Sequence, residues 1–221
     1  MSRLVQNVDN RYKFRGPSVS DEPSVFGDIY KEEINIAIWQ RSLDSLLTNS
    51  AIKFIEDNPT FHTAMTVSLD KVAASLDEEI GSSDYAILTA DISELVDMFC
   101  YLFELKKVGL RLKVLDRAMC PKFHVDRVPC RLLTSYSGKG TEWLPNHLVD
   151  RSKLGTGSNG KPDSESGLYH KSEEINQLTT GDVALLKGEN WFDNEFGGLV
   201  HRSPSLSDGE KRLIISLDFA D

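Results

Sequence analysis

Residues 123–145 read FHVDRVPCRLLTSYSGKGTEWLP. Inside this apolar, strand-like run, His124 and Asp126 flank a single valine. On an extended chain residues i and i+2 project to the same side, so the imidazole and the carboxylate share a face. Two polar groups on a buried face cost stability unless something satisfies them. Three answers stand open at this point: a bound metal, a hydrogen-bonded His–Asp pair, or a solvated strand face.

Composition narrows the classes. The chain has 221 residues, enough for one medium domain or for a domain with an appended segment. Hydrophobic residues make up 40% and charged residues 27%, a globular balance. A formal net charge of −9 argues against non-specific nucleic-acid binding, which needs a basic face. No apolar run approaches the roughly 18–20 residues of a membrane span, so no membrane partner is expected. The opening MSRLVQNVDNRYKFRG lacks the apolar segment of a signal peptide. The expectation is a soluble, cytoplasmic protein. Cys100, Cys120 and Cys130 include no CxxC pair and no disulfide framework, which fits that compartment.

Residues 1–28 are polar and interrupted by Gly16-Pro17 and Glu22-Pro23, and they read as a flexible arm. Residues 29–221 read as a single α+β domain. Its first part, 29–107, is mostly helical support: a strand at 34–41, a helix at 42–58 with Ser42 as N-cap and Pro59 as stop, and a further helix after a short extended piece. The spacing of Ile92, Leu95, Val96, Phe99, Leu102 and Phe103 predicts a helix over 91–107, opened by Asp91 and Glu94 as a capping box. From residue 108 the period changes from 3.6 to 2. Six short strand candidates follow between turn residues, the pattern of a sandwich or small barrel. The Gly- and Ser-rich stretch 151–174 is a long loop and a candidate lid.

A metal at His124 and Asp126 needs a third ligand. His201, in GGLVHRSP after the strand DVALLKG, returns the chain across such a barrel. Two histidines and one carboxylate form the facial triad of non-haem Fe(II) oxygenases. Arg212 opens the final strand, where Arg212, Ile214 and Ser216 share a face. An arginine beside a hydroxyl can hold a carboxylate, the arginine through a bidentate pair.

An HxD pair, a distal histidine, then an arginine with a nearby hydroxyl resembles the Fe(II)/2-oxoglutarate oxygenases. That resemblance implies a double-stranded β-helix core, jelly-roll or cupin-like, with an N-terminal helical layer. It implies Fe(II) on His124, Asp126 and His201, a small-molecule co-substrate, 2-oxoglutarate, with its distal carboxylate on Arg212, and hydroxylation of an unknown primary substrate. Many of those enzymes carry Arg-x-Ser, whereas this chain has Ile214 at the second position and Ser216 at the fourth. Thr134 and Tyr136, one parity of the strand after HxD, are the candidates for the missing hydroxyls. Over most of its length from about residue 30 the chain also resembles the bacterial family DUF1826, through RAMCPKFHVDRVPCRLLTSYSGKGTEWLP, RSKLG, GDVALLKGE and GLVHRSP. That resemblance implies an association with zinc-homeostasis gene neighbourhoods.

Bland readings stand beside each of these. Zinc in the same pocket of a non-enzymatic metal-handling protein is the main rival, and an inactive cupin-like binding module is another. Cys120 and Cys130 share parity with His124 and Asp126. On a regular strand, however, they lie about 33 Å apart at roughly 3.3 Å per residue, too far to meet on one ion, although Pro121 and Pro129 could bend the chain enough to admit one of them as a ligand. Arg131 reads as the partner of an acidic side chain, Glu142 as an exposed strand position, and His147 and His170 as solvated, while His62 in the helical part has no evident partner. Trp143 and Trp191 read equally as rim packing or as a substrate platform.

Overall fold

The computed structural model describes residues 14–81 and 83–220. Ten strands and four α-helices occupy these residues: β1 (Gly16–Ser20), β2 (Ile34–Trp39), α1 (Ser45–Asp57), β3 (His62–Ser68), α2 (Val72–Ile80), α3 (Ala86–Phe103), β4 (Lys107–Leu115), β5 (Cys130–Ser137), β6 (Glu142–Leu144), α4 (Asp163–Ser166), β7 (Asn176–Gln177), β8 (Val183–Lys187), β9 (Val200–Arg202) and β10 (Arg212–Phe219). Seven strands make a sheet in the order β1-β2-β8-β5-β10-β4-β3, and three make a second sheet, β7-β6-β9. An isolated antiparallel bridge between His124 and His201 extends the small sheet on its β9 side.

Alternation along the strands sorts the layers. Leu110, Leu112 and Val114 of β4, Leu132 and Tyr136 of β5, and Leu213, Ile215 and Leu217 of β10 point to one side. There they form one core with Phe54, Leu88, Ile92, Leu95, Val96 and Phe99 of the helices. The opposite face of the large sheet meets the small sheet. At its β2–β8 end that interior is filled by Ile36, Ile38, Leu133, Trp143, Ala184, Leu186 and Leu199. At its β5–β10–β4 end the inward residues are Arg131, Ser135, Arg212, Ile214, Ser216, Asp218, Arg111 and Lys113. The polar end of the interior is where the candidate site lies.

Several local expectations require correction. Residues 14–28 are not an arm: β1 pairs in parallel with β2, residues 23–30 form a 3₁₀ helix, and Arg15 is buried. Residues 1–13 of that expectation lie outside the described residues. α1 begins at Ser45 and is capped by Asp44, whose carboxylate accepts from the Leu47 N–H at 2.8 Å, rather than by Ser42. α3 begins at Ala86, five residues before the expected start. Asp91 is therefore inside the helix. It pairs with Arg41 at 2.7 Å and accepts from the Tyr136 hydroxyl at 2.6 Å, tying α3 to the large sheet.

The 151–174 stretch is not irregular throughout. It holds short 3₁₀ turns and α4, and it places Leu168 in a third core with Phe123, Leu144 and Val200, outside the small sheet. No described helix is long and apolar enough to cross a membrane.

Candidate metal centre

His124 and His201 face each other across the bridge. Each backbone N–H donates to the other's carbonyl at 3.0 Å. Their ring centroids are 4.6 Å apart. Asp126 completes the group: its carboxylate oxygens lie 3.6 Å from His124 Nε2 and 3.3 Å from His201 Nε2. One ligand atom from each of the three residues falls within 4.8 Å of the other two.

The histidine tautomers follow from the outer contacts. His124 Nδ1 lies 2.9 Å from the Lys122 carbonyl and His201 Nδ1 lies 3.1 Å from the Leu199 carbonyl. A carbonyl only accepts, so each Nδ1 carries the proton and each Nε2 presents a lone pair. Two lone pairs and a carboxylate converge on one point, an arrangement that only a cation or added protons satisfy. The donor set therefore fits a divalent metal, with the outer hydrogen bonds orienting both imidazoles.

Asp126 is held from behind. Arg131 Nη1 donates to Asp126 Oδ2 at 2.7 Å. The same guanidinium clasps Asp218 through Nε at 2.7 Å and Nη2 at 2.8 Å, and Arg111 donates to Asp218 from the neighbouring strand. The backbone of the Asp126 turn is fixed by the Glu189 N–H, which donates to the Asp126 carbonyl at 2.8 Å. That turn lies so close to β8 that a Cβ on Gly188 would sit 1.9 Å from the Val128 carbonyl oxygen.

Electrostatics follow this geometry. Burial opposes the Asp126 charge, but His201 beside it, with Arg131 and His124, outweighs that cost and holds the carboxyl down at about 2. Burial, then the neighbouring His201 charge, pushes the His124 pKa below its ordinary 6.5.

One cavity runs from this cluster into the interior, past Leu133, Ile214 and Ser216 to Thr141. Arg212 is bonded to Thr141 there. The residue as a whole is 1% exposed. It donates from Nε to Ser135 Oγ at 2.9 Å and from Nη2 to Thr141 Oγ1 at 2.8 Å. Nη1 is buried with no hydrogen-bond partner among the described residues. No carboxylate is paired with Arg212 among the described residues, and burial alone drags its pKa down to about 10.

The family described as "Protein of unknown function (DUF1826)" matches residues 20–218. The chain belongs to this family. No curated protein sequence matches it significantly. Among solved structures, the DUF1826 chain is similar to the dioxygenase for auxin oxidation from rice. Identity is 10%, coverage is 93% of this chain and 82% of that one, and the TM-score is 0.51. It is also similar to dioxygenase for auxin oxidation 1 from Arabidopsis thaliana in a 2-oxoglutarate binary complex. Identity is again 10%, with coverage of 93% and 92% and a TM-score of 0.50. At such identity the likeness is one of fold.

In this DUF1826 chain the hydroxyl expectations need revision. Thr134 and Tyr136 do not enter the cavity. They lie on the helix-facing side of β5, where the Tyr136 hydroxyl is bound to Asp91 and burial raises its pKa far above the usual value. Ser135, one residue out of phase, is the inward hydroxyl, and Thr141 is the second. Ser216 does line the cavity but stands four residues from Arg212, about 13 Å along the strand at roughly 3.3 Å per residue, nearer the Arg131–Asp218 end.

The remaining residues fall into place around this site. Cys130 also faces the helices, fully buried, and burial raises its thiol pKa. Cys120 lines the cavity without joining the histidine–aspartate cluster. Glu142 pairs with Arg202 at 2.6 Å. Trp143 is interior packing, and Trp191 packs against Tyr30 at a tilt and edge-to-face against Phe103. His147 stacks on Phe14, and His62 is exposed.

Proposed function

We propose that this chain is an Fe(II)- and 2-oxoglutarate-dependent oxygenase of the hydroxylase type. In this reading the bridge at His124 with β6, β7 and β9, set against β4, β5, β8 and β10, forms a double-stranded β-helix. The helices are its outer support, and the chain is a single catalytic domain. The observation that carries the reading is Arg212: a buried guanidinium with no carboxylate and an unpartnered Nη1 among the described residues, hydrogen-bonded to Thr141, which lines the cavity that His124, Asp126 and His201 share.

His124, Asp126 and His201 would hold Fe(II). Arg212, with the Ser135 and Thr141 hydroxyls, would hold the distal carboxylate of 2-oxoglutarate, and Ser216 borders the cavity between the two ends. When bound, the iron and co-substrate supply the oxidising chemistry, consuming dioxygen in the oxidative decarboxylation of 2-oxoglutarate and in hydroxylation of a substrate. The protein's own part is positional. The Lys122 and Leu199 carbonyls fix the Nε2 lone pairs, Arg131 orients Asp126 and occupies one of its oxygens, and the Leu133 and Ile214 side chains keep the cavity wall apolar. Residues 151–174 cover the outer face of the small sheet and are the segment suited to close over a substrate.

Anaerobic titration of the full chain with Fe(II) and then 2-oxoglutarate tests this directly. A visible metal-to-ligand charge-transfer band should form in the wild type and be absent in His124→Ala and Arg212→Gln. Metal binding without any band on adding 2-oxoglutarate would overturn the co-substrate assignment and leave a metal-handling role, with zinc as the ion to try.

A further inference from the structure

The interior cavity is not the sole approach to His124. An open groove also reaches this histidine, which is 33% exposed at its side chain, and its walls include Val125, Arg127, Arg151, Leu154, Glu189 and Phe196. Nothing in the co-substrate assignment uses it.

Arg151 is the unusual member. Its Nε donates to Asn146 Oδ1 at 3.2 Å, and its Nη2 donates to Asn146 Oδ1 and to the Gly198 carbonyl. Every acceptor is a neutral amide oxygen, and Nη1 makes no hydrogen bond within the described residues. The guanidinium is thus rigidly positioned yet forms no ion pair. Burial lowers its pKa to about 10, with nearby Glu189 acting against the shift and Arg15 adding to it. A partly buried charge held only by neutral groups is under-compensated, and an arriving anion gains from both charge and geometry. Arg127, exposed on the same groove, also has no ion pair among the described residues. Two cations facing one carboxylate leave a net positive charge of one, on a chain whose overall charge is −9. The remaining wall groups Val125, Leu154 and Phe196 are apolar.

We propose that this groove is the primary-substrate subsite, taking an organic monocarboxylate with an apolar body whose carboxylate binds Arg151 and is drawn in by Arg127. That the bound acid is the substrate rests on the oxygenase reading. That the groove binds a carboxylate does not.

The test is a saturation-transfer NMR titration of the metal-free full chain with benzoate, and with benzamide as its neutral counterpart. Benzoate should bind at least about tenfold more tightly than benzamide, the scale of a lost charge-assisted hydrogen bond. Arg151→Gln should remove that advantage, Arg127→Gln should weaken benzoate a few-fold, and Arg212→Gln should leave it unchanged. Equal binding of benzoate and benzamide overturns the proposal. So does loss of benzoate in Arg212→Gln with retention in Arg151→Gln, which would place the acid in the inner cavity.

If Arg151→Gln does not fold, Mn(II) added to the wild type decides. Benzoate protons should relax faster when Mn(II) is bound beside His124, and unchanged relaxation with Mn(II) bound overturns the placement. Where Arg151→Gln does fold and loses benzoate, failure of Mn(II) to bind the wild type would remove the metal reading and leave the carboxylate subsite standing.

Discussion

His124 and His201, 77 residues apart in the chain, exchange a pair of 3.0 Å backbone hydrogen bonds. Both turn Nε2 toward Asp126 because both Nδ1 atoms are bound to carbonyls. The bridge therefore aligns the two ligands through main chain, before any ion is present. Removing either imbidazole leaves the bridge intact but deletes a ligand. His124→Ala and His201→Ala should each weaken Fe(II) or Mn(II) by more than the roughly 10–100-fold typical of losing an outer-shell partner, with the fold retained. Isothermal titration against circular dichroism checks both halves.

Asp218 acts at one remove. It anchors Arg131, which anchors Asp126. Asp218→Asn should lower metal affinity about 10–100-fold while every direct ligand remains. Because it breaks a buried ionic network, it should also cost about 3–5 kcal/mol in urea denaturation. A stability loss without a change in metal affinity would make the network structural only.

Arg212 offers the opposite signature. A buried cation without a carboxylate does little for the empty protein, so Arg212→Met should change its stability by no more than about 1 kcal/mol. The same substitution should abolish the rise in Tm that 2-oxoglutarate gives the metal-loaded wild type.

Tyr136→Phe separates the two faces of β5. The lost bond to Asp91 should cost about 1 kcal/mol, with 2-oxoglutarate binding unchanged. Ser135→Ala, one residue earlier on the inward face, should weaken 2-oxoglutarate instead.

The pH dependence has a definite sign. His124 and Asp126 both have folded-state pKa values below their ordinary ones, the latter at about 2. Each therefore contributes stability that is present above its unfolded pKa and lost as pH falls through the folded value. The metal-free protein should lose stability first below about pH 6.5, through His124, and again between about pH 4 and 2, through Asp126. Metal affinity should fall over the upper window alone, since Asp126 stays ionised there. Denaturation midpoints from pH 8 to 3 measure the first effect, and Mn(II) titrations at pH 5.5 and 7.5 the second.

Local pattern alone carried the order of elements from β2 to β10 apart from α4 and β7. The period change at residue 108, the HxD spacing and the Arg212 position are properties of neighbouring residues. It could not set the phase of β5, where six of eight residues, including Thr134, Ser135 and Tyr136, are buried. With both faces covered, alternation leaves no polar side to read, so the inward hydroxyl was placed on Thr134 and Tyr136 rather than Ser135. Thr141 escaped notice because its contact with Arg212 spans 71 residues. β1 was missed because parallel pairing with β2 satisfies a polar, proline-containing segment whose own pattern does not resemble a strand.

The sequence by itself determined which side chains could be ligands: on an extended backbone the HxD spacing is a matter of covalent geometry. Only the tertiary structure decided that His201 meets them, that Arg131 and Asp218 stand behind Asp126, and that Arg212 is left without an acid. Those are pairings across strands far apart in the chain, set by sheet register and burial rather than by any local preference.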